Sequence, residues 1–425
     1  MLRSENRVNA NTDYRVRAVH CDHKAADDAV YEALRRATLP LEQSWAKLQA
    51  AKRIAIKFNQ DWVLSHVVYF EGQRRQLVSD SVARAALRLL REETSAELIC
   101  VDASYYVMHQ ENARTVADTT NITALLREFD VPYIDGTKPP YKVVGVPGGG
   151  QMFEQYGMMQ DVVEADAVVS VAKMKNHAYM GITACLKNLF GLMPGLMPGR
   201  PRHYYHHLVR MPYMLADIGR IFNPALNVVD ALVGQASSEW GREPDIGRIV
   251  NALIAGDHVV ATDACVTHLM GHDPQSDWLT EPFHRDRNAL LAAAEGGFGT
   301  VNLDEIDFTS EVAPQPEGTF FARKGDDLKT VVTWRRTMCE QALYYRDHQQ
   351  DFVDKYAGEF ILLQDGEVKW HNTDGMLRMS RRRLSGAHPD HAMFFKYVDP
   401  EEREQEHYEV YEKALQHVRS LKSKV

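Results

Sequence analysis

Residues 166–207, DAVVSVAKMKNHAYMGITACLKNLFGLMPGLMPGRPRHYYHH, decide how the rest of the chain is read. An apolar run from Ala167 to Ala172 has the length and β-branched content of a buried strand. It leads directly into Lys173, Lys175, Asn176 and His177. The stretch Gly181–Phe190, carrying Lys187 and Asn188, reads as helical, and a doubled Gly-Leu-Met-Pro unit then reaches Arg200, Arg202, His203, His206 and His207. Ligands of parallel α/β sheets collect beyond the carboxyl ends of the strands, which is where this reading puts the lysines.

Outward from that stretch the same rhythm recurs. Strands are expected at Arg53–Trp62, Ala96–Ala103, Val131–Asp135, Lys142–Pro147, Leu226–Leu232 and Ile249–Asp257. Helices are expected at Ser79–Glu93, Ile122–Phe129, His258–Met270, Arg287–Ala294 and Thr330–Tyr345. Alternation of this kind predicts an α/β fold: a parallel sheet in Rossmann-like layers, in two halves (51–165 and 166–310) with a cleft between. Residues 1–50, with helical periodicity over 24–48, read as an N-terminal helical cap. The acidic, Pro-containing stretch 302–318 reads as a linker to a small α+β extension over 311–425. That extension has a hairpin turning at Asp365-Gly366, a basic run at 378–386 and a charged terminal helix.

Composition bounds the function. The chain has 425 residues, 45% hydrophobic and 25% charged, with net charge -9, which argues against general nucleic-acid binding. Its five cysteines, at 21, 100, 185, 265 and 339, form no CxxC and predict neither a disulfide framework nor an iron–sulfur cluster. The N-terminus lacks a signal-peptide core and no apolar stretch reaches the length of a membrane span, so a cytoplasmic setting without membrane association is expected. Self-association is compatible with all of this.

The candidate site is basic. Lys173, Lys175, His177 and Lys187 are the expected catalytic residues, because a desolvated lysine becomes a base or Schiff-base former and histidine moves protons near neutrality. Lys57, Asn59, Asn188, Arg200, Arg202, Asp230 and Glu239 are expected to line the substrate cleft, the arginines clamping a carboxylate or phosphate. Asp257 reads as a helix cap, with Asp263 beside the same helix start. Gly148–Gly150 lacks the spacing of a dinucleotide fingerprint and reads as a turn. His203 and His207, four apart, have the spacing of metal ligands on one helix face, so this stretch reads either as an anion-binding loop or, with those two histidines, as a site for a divalent metal.

Several of these blocks occur together elsewhere. Lys57-Phe58-Asn59 after a strand, VVSVAKMKNHAYMGITACLKNLFG at 168–191, VVDALVG at 228–234, LIAGDHVVATDAC at 253–265 and Met270–Asp273 resemble, in order, the family called domain of unknown function 362. The resemblance spans roughly residues 50–310. Many of its members carry ferredoxin-type cysteine clusters, which this chain does not. A second resemblance is one of spacing: His177, Lys187 and His203 are set as in the nickel-pincer lactate racemases. There the three serve as acid/base, cofactor-attachment lysine and nickel ligand. The glycine-rich approach to that lysine is replaced here by Ile182–Leu186. The sequence therefore predicts an enzyme performing isomerase- or lyase-type proton transfer on a small anionic metabolite. A non-catalytic ligand-binding protein and an oxidoreductase with an external electron-transfer partner are the alternatives.

Overall fold

A computed structural model describes residues 14–60, 62, 66–103, 122–194, 202–323, 325–375, 384 and 393–421. The main sheet has nine strands: β1 (Arg15–His20), β2 (Arg53–Phe58), β3 (Glu97–Asp102), β4 (Tyr133–Asp135), β5 (Ala167–His177), β6 (Gly181–Thr183), β7 (Leu226–Gln235), β8 (Gly247–Gly256) and β9 (Asp307–Ser310). Their spatial order is β9-β1-β8-β7-β5-β2-β3-β4, with β6 folded back antiparallel on β5. The five strands from β7 to β4 are mutually parallel, and β8 runs antiparallel to both its neighbours. The fold is α/β, as expected.

The sheet is covered on both faces, which its unbroken apolar strands require. Successive residues of a strand point to opposite faces, so each strand feeds two cores. Val169 and Val171 of β5 pack with Ile54, Ile56, Leu98 and Cys100 under α1 (Asp27–Thr38) and α2 (Asp80–Glu93). Val168, Ala172 and Met174 face α4 (Arg210–Phe222) and α5 (Val259–Leu269), beyond α3 (Cys185–Asn188). The second core continues into the C-terminal region. There α6 (Leu328–Asp347), the antiparallel strands β10 (Phe360–Gln364), β11 (Glu367–Asn372) and β12 (Phe394–Tyr397), and α7 (Glu409–Ser420) bury Met338, Leu362, Phe395 and Tyr411. Lys396 is fully buried there and donates to Glu404 at 2.5 Å and Glu406 at 2.9 Å, while Arg210 of α4 reaches Glu406 at 2.8 Å. The expected hairpin turn holds, with Asp365 and Gly366 both at positive φ.

Several expectations are corrected. Residues 24–48 form two helices, α1 and Glu42–Ala50, separated at Pro40, where the missing N–H and ring end the helix. Arg15–His20 precedes them as a strand of the main sheet, its Arg15 and Arg17 pairing with Asp307. The stretch read as a linker supplies β9, which lies parallel to β1. Lys142–Pro147 belongs to an antiparallel hairpin, Tyr141–Gly145 with Gln155–Met159, outside the main sheet. Gly148 and Gly149 make a turn at positive φ. The basic run at 378–386 lies outside the described residues except Leu384.

Candidate functional site

The chain runs from β2 outward through β3 to β4, then returns to place β5 on the other side of β2 and continues to β7. The order therefore reverses between β2 and β5, the switch point at which open α/β sheets form a crevice. Lys57 ends β2 on one side of it, and Lys173, Lys175 and His177 end β5 on the other. The lysines do not follow the strand. They are part of it, since β5 continues through His177 and all eleven of its residues are buried. The alternation of a strand puts Lys173, Lys175 and His177 on one face, in line with Val169 and Val171. Where they sit, the ladder to β7 is irregular: Lys173 pairs with Asp230 and Lys175 with Gln235. Such bulges re-aim side chains beside sites.

Two of the lysines are matched by acids. Lys173 Nζ lies 3.0 Å from a carboxylate oxygen of Asp230, neither side chain reaching solvent. The two groups form a buried ion pair. Burial lowers the lysine's affinity for its proton while Asp230 opposes this. Asp230 also accepts from the N–H and hydroxyl of Ser79, each at 2.8 Å, and so ties β7 to the start of α2. Lys57 donates to Asp102 at 2.9 Å and to Asn188 at 3.3 Å. Asn188 returns bonds to the carbonyls of Lys57 and Val171 and the hydroxyl of Ser170. This knot explains Gly191: a Cβ there would come within 2.1 Å of Lys57 Cε and 2.9 Å of Asp102 Oδ1.

Gly181–Phe190 is not one helix. Gly181–Thr183 pairs with β5, α3 is one turn, and Leu189–Leu192 is a 3₁₀ turn. That single turn is held by Asp263 from α5, whose carboxylate accepts the N–H groups of Cys185 at 2.9 Å and Leu186 at 2.7 Å. Burial lifts the Asp263 carboxyl to about 7, against the pull of those two donors. Asp263 thus caps α3, and Asp257 accepts the N–H of Arg15 at 2.8 Å, so neither caps α5. That task falls to His258, whose ring nitrogen accepts from the Val260 N–H at 3.2 Å.

Around this frame sit the reactive groups. Lys175 Nζ is buried, donates to the Gln76 carbonyl at 2.6 Å and lies 4.4 Å from the centre of the Trp240 ring, which stacks on Trp62 at 4.1 Å. Burial holds its amine down to about 7; Glu239 pulls upward, while Lys187, Lys173 and Lys57 add to the lowering. His177 accepts at Nδ1 from the N–H groups of Tyr179 at 3.0 Å and Met180 at 3.1 Å. Those two bonds assign the ring proton to Nε2, which faces Glu239 at 3.5 Å. Burial, with Lys187, Lys175 and Arg285 nearby, keeps this imidazole neutral well below its ordinary value. Lys187 Nζ and the Arg202 guanidinium each lie 4.7 Å from the centre of the Phe190 ring, and Arg202 also donates to the Ala103 carbonyl.

The structure thus brings Lys57, Lys173, Lys175, His177, Lys187, Asn188, Arg202, Asp230 and Glu239 to one end of the sheet. Asn59 is there too, its backbone bridging Val171 and Val78. Arg200 lies outside the described residues. The two histidines expected as metal ligands are differently engaged. The helix that starts at Arg202 ends at Tyr205, so His207 is not on it. His203 Nε2 meets the Gly375 carbonyl at 2.6 Å and its ring stacks on Phe395. His207 Nε2 accepts from the Phe395 N–H at 3.3 Å. Among the described residues, no group of three or more His, Cys, Asp or Glu is placed to hold a metal ion. His203, at the nickel-ligand position of the racemase spacing, is turned toward the C-terminal strands, so the three residues of that spacing do not fit the cofactor. Sequence reasoning missed Asp102, Gln76, Trp62 and Arg285; only Asp102, an acid ending an apolar strand, left a signal.

Comparison with known proteins adds the following. A thylakoid-associated protein of Synechocystis sp. is 27% identical over 170 residues, 38% of this chain and 49% of that protein. The chain thus spans about half the length of the curated relative it matches. The lactate racemase apoprotein from Thermoanaerobacterium thermosaccharolyticum superposes with a TM-score of 0.33 at 14% identity, covering 58% of this chain and 54% of that one. A protein from Thermotoga maritima gives 0.31, also at 14% identity, over 55% of this chain and 56% of its own. The family described as domain of unknown function DUF362 matches residues 55–268, which hold nearly all of the site built above, and the chain belongs to that family.

Proposed function

We propose that the chain is an enzyme that moves a proton on a small anionic metabolite, in isomerase- or lyase-type chemistry. The observation that carries this reading is the Lys175 amine, buried among further cations and lowered to about 7. A base poised near the working pH is what proton abstraction beside a carbonyl needs. Lys187 and Arg202 supply positive charge for a carboxylate or phosphate, and the Glu239 carboxylate, oriented by the His177 Nε2–H, passes the proton on. Lys57 and Lys173, each bound to a buried acid, act as positioning residues. A cytoplasmic setting is part of the proposal; five free, buried cysteines suit a reducing compartment.

The test is solvent exchange. Small 2-oxo acids, 2-hydroxy acids and sugar phosphates are incubated with the protein in deuterium oxide, and loss of the carbon-bound proton is followed by NMR. One class should exchange, and Lys175→Met should slow that exchange by about 10²–10⁴-fold, the usual worth of a positioned base. Binding without exchange for every class would replace the enzyme reading with a ligand-binding one.

A further inference from the structure

We propose that Lys175 is a covalent nucleophile that condenses with the carbonyl of a small 2-oxo acid to form an imine. This rests on the reading above that the switch-point cluster is a catalytic site, and it names the substrate class.

Position is the first ground. Lys175 stands between the ion-paired Lys173 and the His177–Glu239 pair, on the same face of β5. Unlike Lys57 and Lys173, it has no salt bridge among the described residues. Its one hydrogen bond goes to a neutral acceptor, the Gln76 carbonyl. Trp240, backed by Trp62, covers it with an apolar wall. Desolvation beside other cations is what turns a lysine into a nucleophile at neutral pH, and Lys57, Lys173 and Lys187 all bear on it. The surrounding charge is the second ground. Lys187 and Arg202 share the Phe190 ring at the same end of the sheet, giving a carboxylate on the carbonyl compound two cations to meet.

The step balances. The neutral amine adds to the carbonyl carbon, giving a carbinolamine as the nitrogen proton passes to the oxygen. A proton taken up from solvent then lets the hydroxyl leave as water, pushed by the nitrogen lone pair, and a protonated imine remains. Its positive nitrogen withdraws electrons from the neighbouring carbon, whose proton passes to the Glu239 carboxylate. No oxidant or reductant takes part.

The experiment uses the full chain with pyruvate as probe and cyanoborohydride to reduce any imine, followed by intact mass and peptide mapping. A one-to-one adduct on Lys175 is expected. Labelling should rise through a midpoint near neutral pH, set by Glu239, Lys57, Lys173 and Lys187 around the amine. Uncharged acetone should label Lys175 several-fold more slowly. Lys187→Met should slow labelling by pyruvate several-fold while leaving its site at Lys175, and Lys175→Arg, which keeps a long N–H donor but no nucleophilic amine, should lose the adduct. Labelling spread over surface lysines, with Lys175 unmodified, would overturn the inference. Deuterium exchange without an adduct on Lys175 would also overturn it, leaving the proton-transfer reading intact. An adduct without exchange would uphold the nucleophile and remove the proton transfer.

Discussion

Replacing Lys175 with methionine keeps the length and apolar stem of the side chain and removes only the amine, so the cost of burying that amine becomes measurable. In the unfolded chain it titrates near its ordinary value of 10.5, and burial brings it to about 7 in the folded chain. Between those two values the unfolded state binds more protons, so the lysine's contribution to stability is a penalty at low pH that is relieved as pH rises. At about 1.4 kcal/mol per pH unit, the full penalty is roughly 5 kcal/mol. Raising the pH from about 7 to about 9 relieves roughly 2 kcal/mol of it. For a chain of this length that corresponds to a gain of about 2–3 °C in Tm.

The variant loses the bond to the Gln76 carbonyl and the contact with Trp240, each worth about 1 kcal/mol. It should still be more stable than the parent near pH 7, because the relieved penalty is the larger quantity. Other shifted groups, such as Lys173, Asp217 and Asp263, are common to both proteins and cancel in the comparison. Thermal melts of both proteins at the two pH values decide the matter. The parent should gain on the variant as pH rises, and parallel melting temperatures would refute the claim that Lys175 is held uncharged.

Three further perturbations test the frame. Gly191→Ala drives a methyl into Lys57 and Asp102; overpacking against a buried ion pair should lower stability by about 3 kcal/mol or more, seen as a Tm drop of about 3 °C. Asp263→Ala strands the Cys185 and Leu186 N–H groups, at about 1–3 kcal/mol each. Amide exchange at those two positions should quicken by more than it does elsewhere, and unchanged protection would disprove the cap. Lys396→Met leaves Glu404 and Glu406 buried with Arg210 alone to offset them, and should cost about 3–5 kcal/mol near pH 7. The unpaired carboxylates would have folded-state affinities for protons above their unfolded ones. The loss should therefore shrink as pH falls toward 5, and a pH-independent loss would contradict it.

What the sequence allowed to be read follows from burial. Val169, Val171 and the apolar stripes of α2 and α5 are ordinary core residues, and the helices and central strands were expected nearly where they lie. The run Lys-x-Lys-x-His was expected to leave the strand, because lysines are rarely placed inside one. It stays, since Asp230, Gln76 and Trp240 receive the two amines, and none of these is near in sequence. The same distance hid β1 and β9. RVRAVH and DFTS carry little apolar signal alone, and their pairing depends on Arg15 and Arg17 meeting Asp307 some 290 residues later. Lys187 was expected on a long helix because Cys185–Phe190 has the composition of one. The single turn that exists depends on a carboxylate supplied from α5.

The two ion pairs give the cluster its polarity. Lys57 on β2 is bound by Asp102 on β3, and Lys173 on β5 by Asp230 on β7. In each case the acid belongs to the neighbouring strand on the side away from the β2–β5 reversal. The carboxylates of these two pairs thereby lie on the flanks, while Lys175, held by a neutral carbonyl and a ring, keeps its place at the centre with Glu239 as the acid that acts on it. Had either acid been placed between β2 and β5, Coulomb attraction at these depths would have raised the Lys175 amine toward its ordinary value and ended its use as a base or nucleophile. Reversing one pair tests this directly. In Lys173→Asp with Asp230→Lys, the negative charge moves from β7 onto β5, two residues from Lys175. The pH midpoint of Lys175 labelling should then rise. An unchanged midpoint would mean that burial alone sets the amine, and that the flanking acids only hold the strands together.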